Sequence, residues 1–309
     1  MKNIGGQAVI EGVMMKSPVG WSVAVRGPKG DISLKREKTG TMAGFLKLPV
    51  IRGSVALFQA LHIGIRALEF SGNVAYQEEE QVKPISPLSM GLSLAAALVL
   101  AAGLFILLPL LLTKVMGNFL HGIANSSMLF NAVDGVIRVV IFLFYVFAIG
   151  LWKEMRRVFE YHGAEHKVIY AYEAGESLTV ENAKKYKPYH PRCGTSFLLI
   201  VMVISILIFS FIPQQWSFIS KASSRLILIP LIAGISYEML KFSARMKNNP
   251  VINLMVVPGL LLQRMTVREP DESQIEVALA AMQDVLKMEG TCGGVPEKSK
   301  TCWGAGEVH

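Results

Sequence analysis

The chain has 309 residues, of which 52% are hydrophobic and only 17% charged, and its formal net charge is +8. Soluble globular domains carry about 25% charged residues, so this composition points to a membrane protein and excludes disordered and collagen-like classes. Three scattered cysteines exclude a disulfide framework, and without a long apolar core in the opening residues no secretory signal peptide is expected.

In chain order, short β-like runs come first: Gln7 to Met15, Trp21 to Arg26 and Ile32 to Lys38. Ser-Pro-Val-Gly and Gly-Pro-Lys-Gly separate them, which is turn chemistry, so a small antiparallel sheet is predicted over residues 1–52. From Gly53 to Phe70 the apolar period becomes helical, with Leu57, Phe58, Leu61, Ile65 and Leu68 on one face. This helix, with a linker to residue 86, is expected to lie on a membrane surface or pack on the spans. Leu88 to Thr113 is the longest uncharged run and exceeds the roughly 20 residues a spanning helix needs. Pro109 near its end is a kink that a membrane helix tolerates. A second span is read at Val136 to Trp152, with Arg138 near its start, and a third at Thr195 to Ile212, stopped by Pro213. A fourth is read at Leu226 to Phe242, with Arg225 snorkelling at one end and Glu238 and Lys241 near the other interface. Val251 to Gln263, broken by Pro258-Gly259, is too short to span and reads as an interfacial or re-entrant segment. Asp271 and Gln274 have capping-box spacing before a helix whose stripe is Ile275, Ala278, Leu279, Met282 and Leu286. Residues 290–309, rich in Gly, Lys and Ser, are expected to be disordered, and Cys292 and Cys302 within them receive no role.

The fold class expected is therefore an α-helical integral membrane protein of about four transmembrane helices, with a small N-terminal β-rich cytoplasmic domain and cytoplasmic amphipathic helices. Segments 87–152 and 195–242 hold the spans, 153–194 forms a loop between them, and 243–289 holds the interfacial segment and the last helix. Of the 31 Lys and Arg residues, 11 lie in 1–87, 8 in 153–194 and 8 in 241–309. The positive-inside rule then places both termini and the middle loop in the cytoplasm. The basic balance is topological, aided by anionic lipid, and no motif suggests nucleic acid as a partner.

The middle loop carries the chemistry. His162-Gly-Ala-Glu165-His166 matches the H-x-x-E-H pattern of inverted zinc peptidases, in which the glutamate beside the second histidine is the base. Residues four apart share a helix face, so His162 and His166 can aim at one zinc ion, and His190 and Cys193 can supply further ligands. If all four bind, the tetrahedron closes and the metal is structural; with three, a position stays open for water and Glu165 becomes a candidate catalytic base. Two histidines this close also arise on ordinary helix surfaces. Further candidates are Glu160, five residues before Glu165, and Glu238, at a depth to meet the loop or to pair with Lys241 or Arg245. Glu11 is a third, on a glycine-flanked strand or in a tight turn.

Four stretches carry a family resemblance: Gly5-Gly6-Gln7-Ala8-Val9-Ile10-Glu11-Gly12-Val13-Met14-Met15, Glu160 to Lys167, His190-Pro191-Arg192-Cys193-Gly194-Thr195-Ser196, and Pro258 to Gln263 followed by Arg268-Glu269-Pro270-Asp271. Over residues 3 to 288 the chain resembles the YqhQ-type family of bacterial multi-pass membrane proteins, a domain of unknown function described as a predicted metal-dependent enzyme. The resemblance implies the same histidine and glutamate residues and brings no substrate. Two functional expectations follow. One is a zinc-dependent hydrolase of peptide or lipid substrates at the membrane surface. The other is a non-enzymatic accessory or regulatory protein that binds other membrane proteins, with a structural metal or none. Transport is the weaker third, because few charges lie within the spans and no inverted repeat is evident.

Overall fold

A computed structural model describes residues 4–40, 44–76, 87–191, 193–213, 215–245 and 250–290. The disorder expected of the tail, and with it Cys292 and Cys302, lies outside the described residues. The chain is mostly helical, with one four-stranded antiparallel sheet of order β1-β2-β3-β4 at its N-terminus.

The strands are β1 (Gly5–Val9), β2 (Gly12–Lys16), β3 (Gly20–Arg26) and β4 (Ile32–Lys38). The run read as one strand from Gln7 to Met15 is a hairpin, with Val9 paired to Gly12 across Ile10-Glu11. No Asn-Gly or Pro marks this turn, so the apolar residues on both sides hide it. Glu11 is not on a strand but occupies the turn with φ of 49°, a left-handed conformation that costs a non-glycine residue about 1 kcal/mol or more. Gly12 cannot carry a side chain, because a Cβ would stand 2.3 Å from the Ala24 carbonyl oxygen.

Alternation along β2 and β3 gives the sheet two apolar faces. Val13, Met15 and Ala24 pack against α6 (Lys153–Ala174) and α12 (Glu272–Met288). Val9, Met14, Trp21, Val23 and Val25 pack against Ile63, Ala67 and Val74 of α1 (Ile51–Ala75). The sheet is thus the middle layer of a sandwich whose outer layers come from distant parts of the chain. The capping box of α12 forms as its spacing requires, and its whole predicted stripe is buried. The stripe of α1 behaves otherwise. Phe58, Leu61 and Leu68 are exposed, while Gly53, Gly64, Ala67, Ser71 and Gly72 are buried. Small residues let α1 approach its neighbours closely, as at Gly53, where a Cβ would meet the Gly234 carbonyl oxygen at 2.9 Å.

The remaining helices form an apolar bundle: α2 (Pro87–Ala102), α3 (Leu108–Phe119), the short α4 (His121–Asn125), α5 (Ser127–Ile149), α8 (Gly194–Phe209), α9 (Phe218–Ile227), α10 (Ile229–Arg245) and α11 (Pro250–Thr266), with the short α7 (Val180–Lys184) outside it. Between α2 and α3 a π-helical turn at Gly103–Leu107 precedes Pro109. It lets the helix continue past a residue that has no N–H to donate. Among the described residues two helices are long and apolar enough to cross a membrane, Gly91–Phe119 and Ser127–Ile149. Phe218–Ile227 and Ile229–Phe242, bent by 44°, make a third if they form one span. The third run read as a span is α8, which has only 16 residues. Residues 250–266 form one continuous helix with Pro258 inside it.

Arg225 does not snorkel. It is 1% exposed and donates to Asp134 Oδ1 at 2.8 Å, while Arg138 donates to Asp134 Oδ2 at 2.7 Å and to Ser205 Oγ at 3.2 Å. Hydropathy along one helix does not reveal this, because the acid and one of its two partners lie on different helices.

Candidate metal centre

Three residues separate α5 from α6, which carries His162, Glu165 and His166 in its middle. Its period puts the two histidines on one face, with ring centroids 4.5 Å apart. Cys193 comes from the other side of the site. It is the N-cap of α8, and its Sγ accepts from the Thr195 N–H at 3.4 Å. One donor atom from each of His162, His166 and Cys193 lies within 4.8 Å of the others.

The backbone fixes how the rings point. His162 Nδ1 lies 2.9 Å from the Thr266 carbonyl oxygen, and His166 Nδ1 lies 2.5 Å from that of Pro188. A carbonyl only accepts, so in both rings Nδ1 carries a proton, and Nε2 is the nitrogen left to serve as a ligand in the neutral ring. His162 Nε2 is 3.1 Å from Cys193 Sγ. His166 Nε2 is buried without a hydrogen-bond partner. An imidazole held at Nδ1 by a carbonyl with Nε2 directed inward is the arrangement of a metal ligand. Burial lowers the His166 pKa, opposed by Cys193 and reinforced by His162, which favours the neutral, ligating form.

Tetrahedral zinc with two nitrogens and one sulfur needs donors roughly 3.3–3.7 Å apart. The donor set therefore closes on such an ion with shifts of about 1 Å or less, and its chemistry suits zinc. Among the described residues no fourth His, Cys, Asp or Glu joins it.

The other candidates are placed as follows. His190 is buried beside His166, with ring centroids 5.7 Å apart, but its Nε2 lies 3.5 Å from Glu173 Oε2 and its ring packs on Tyr170. Glu165 is 5% exposed and faces β1, where the Gly6 N–H donates to it and a Cβ on Gly6 would clash with its carboxyl carbon at 2.8 Å. Burial raises the Glu165 pKa, opposed by His162, His190 and the Gly6 N–H. Glu160 accepts from Gln274 Nε2 at 3.0 Å. Glu238 binds the Arg52 guanidinium through both oxygens and also feels the charge of Lys241, while the Arg245 side chain lies outside the described residues. Glu11 likewise takes both arms of Arg157 and accepts from the Tyr161 hydroxyl at 3.2 Å. It lines a cavity of about 660 Å³ with Arg26, Tyr76 and Lys153, to which none of the three metal-donor candidates contributes.

Three residues outside that reading build the site. Gln263 of α11, fully buried, receives the His190 N–H at 2.8 Å and donates to the His190 carbonyl oxygen at 2.8 Å and to Ser196 Oγ at 3.4 Å. Gly259 lets α11 approach, since a Cβ there would stand 2.4 Å from Ser196 Oγ. Gly163, inside the histidine motif, admits the chain after α11, because a Cβ would stand 2.0 Å from the Arg268 carbonyl oxygen. The Pro258-Gly259 and His-Gly signals were visible, but their partners are not local in sequence.

A family model described as "Protein of unknown function (DUF1385)" matches residues 48–288. The chain belongs to the DUF1385 family. It is also 32% identical over 299 residues to "Uncharacterized protein YqhQ" of Bacillus subtilis (strain 168), covering 92% of each chain. No solved structure matches. The family agrees with the resemblance carried by the sequence motifs, and neither match brings a metal or a membrane with it. The matched DUF1385 segment contains His162, Glu165, His166 and Cys193, while β1 with Gly6 lies before it.

Proposed function

We propose that this DUF1385 protein is a multi-pass protein of the bacterial cell membrane with a zinc site at the cytoplasmic surface, and that it hydrolyses an amide or ester bond in a peptide or lipid substrate there. The observation that carries this reading is the convergence of three donors on one point, with both imidazoles held at Nδ1 by carbonyls. Three protein ligands are the number found in catalytic zinc sites, whereas structural sites use four. A zinc ion there supplies Lewis-acid activation of water near neutral pH.

This chain's own residues do the rest. His162, His166 and Cys193 hold the ion. Glu165 is the candidate base that takes the proton from water, and burial, by raising its pKa above the ordinary carboxylate range, makes its carboxylate a stronger base. The Gly6 N–H fixes its carboxyl group. The apolar helices and the clustering of basic residues in 1–87, 153–194 and 241–309 support the membrane and its orientation.

One observation favours a structural zinc instead: Cys193 is 7% exposed and His166 1%, so the donors sit in the seam that joins α6 to α8. Glu165→Gln separates the two. For a hydrolase, the variant keeps its zinc and fold and loses turnover of ester and amide test substrates. A variant that retains turnover contradicts the catalytic role, and one with no phenotype beside a Cys193→Ser protein that loses zinc and stability together establishes the structural reading.

A further inference from the structure

Four basic residues fall outside the three Lys/Arg-rich segments: Lys114, Arg138, Lys221 and Arg225. They sit on α3, α5 and α9, and the fold gathers them. Lys114 Nζ lies 6.0 Å from the centre of the Phe218 ring and Lys221 Nζ 4.4 Å from that of Phe130, and Phe130 and Phe218 belong to one apolar cluster. Arg225 reaches from the same helix as Lys221 to Asp134 and to Asn131 Oδ1, at 2.8 Å and 3.3 Å. Arg138 meets Asp134 from the other side.

Asp134 is the acid that both arginines share, so the two buried guanidiniums outnumber it by one, and Lys221 and Lys114 add positive charge toward the surface. Such an excess in a low-dielectric bundle is costly unless an anion offsets it. The guanidinium faces of Arg138 and Arg225 lie 4.9 Å and 5.2 Å from the centre of the Phe209 ring, yet the Nε of each is buried with no hydrogen-bond partner. Exposure falls inward in steps, from exposed Lys114 through half-buried Lys221 to buried Arg225 and Arg138. The cluster lies at the opposite end of the bundle from the histidines. α8 runs from Cys193 at one site to Ser205 at the other, about 18 Å at 1.5 Å per residue.

We propose that Lys114, Lys221, Arg225 and Arg138 form a binding site for a phosphate-bearing anion, supplied by the headgroup of an anionic phospholipid in the leaflet away from the histidine site. Guanidinium forks with unused N–H groups match a phosphate's several oxygens, and the two lysines meet its charge at the mouth. The site is independent of the metal and of any hydrolysis.

Native mass spectrometry of the full chain in mild detergent tests this, with phosphatidylglycerol, phosphatidylethanolamine and inorganic phosphate as separate probes. The expected result is preferential retention of phosphatidylglycerol over phosphatidylethanolamine. In a Lys114→Gln/Lys221→Gln variant that preference should fall by roughly thirtyfold, as removal of two charges near a lipid surface implies. This variant leaves the Asp134 pairs intact, so an unchanged Tm shows that folding is not the cause. Equal retention of the two lipids, or an undiminished preference in the double variant, overturns the proposal. Inorganic phosphate that binds and fully displaces the lipid assigns the site to a soluble phosphate and overturns the lipid source.

Discussion

Gln263→Leu is the substitution that most cleanly separates the scaffold of the site from its donors. Gln263 is not one of the three donors, yet its amide takes both backbone groups of His190, three residues before Cys193, at 2.8 Å each. Leucine is close in volume and cannot replace either bond. The His190 N–H then loses its bond to Gln263, and the C=O keeps only the longer one from the Cys193 N–H at 3.3 Å, and weakening hydrogen bonds at buried groups costs about 1–3 kcal/mol apiece. A loss of roughly 2–4 kcal/mol is expected once local relaxation admits some water. Because the freed segment carries Cys193, zinc affinity should fall as well, by about 10- to 100-fold, the range seen when supporting bonds behind metal ligands are removed. Thermal unfolding in detergent, with and without zinc, gives the first number and a competing chelator the second. A variant destabilised as expected but with unchanged zinc affinity would refute the coupling of α11 to the site. One with an unchanged Tm would refute the importance of the hydrogen bonds.

Other substitutions test neighbouring parts. Gly163→Ala places a methyl group 2.0 Å from the Arg268 carbonyl oxygen, a backbone atom that cannot swing aside. It should cost about 1–3 kcal/mol, and a variant as stable as the parent in chemical denaturation would contradict the close approach. Asp271→Ala removes the cap of α12, where Asp271 accepts from the Gln274 N–H at 2.8 Å, and should cost about 1 kcal/mol. The Asp271 pKa lies below its ordinary value although burial pulls the other way, because hydrogen bonds from Ser273 and Gln274 and the charge of Arg157 outweigh burial. A depressed carboxylate stabilises the fold above its unfolded pKa and loses that contribution as pH falls through its folded pKa. The Tm advantage of the parent over Asp271→Asn should therefore be present at pH 6 and shrink below about pH 4, and an advantage that grows on acidification would contradict the assignment.

What the sequence revealed depends on how local the cause is. The capping box and stripe of α12 lie within seventeen residues, and both stand in the structure as read. α1 was legible as a helix but not in orientation, because hydrophobic periodicity assumes that large residues go inside. Here glycine and alanine make the close contacts and leave Phe58 and Leu61 outward. The β1–β2 hairpin was hidden because Glu11 adopts a turn conformation that its residue type disfavours. Within the site, the i, i+4 spacing of His162 and His166 announces a shared face. What His190 does cannot be read from its spacing to Cys193, since that depends on Glu173 and Tyr170, packed against it from α6. Gln263 and Thr266 are ordinary residues made significant only by the approach of α11, and Asp134, one turn from Arg138 on α5, acquires Arg225 only when α5 and α9 pack.

Zinc content tests the central claim most directly. The intact protein, purified in mild detergent without a histidine tag or chelator, should carry about one zinc per chain. His162→Ala and Cys193→Ser should each lose it, while His190→Ala, whose imidazole faces Glu173, should keep it. No stoichiometric metal in the parent protein, or full retention of zinc after removal of His162 and Cys193 together, would contradict the metal centre and the hydrolase built upon it.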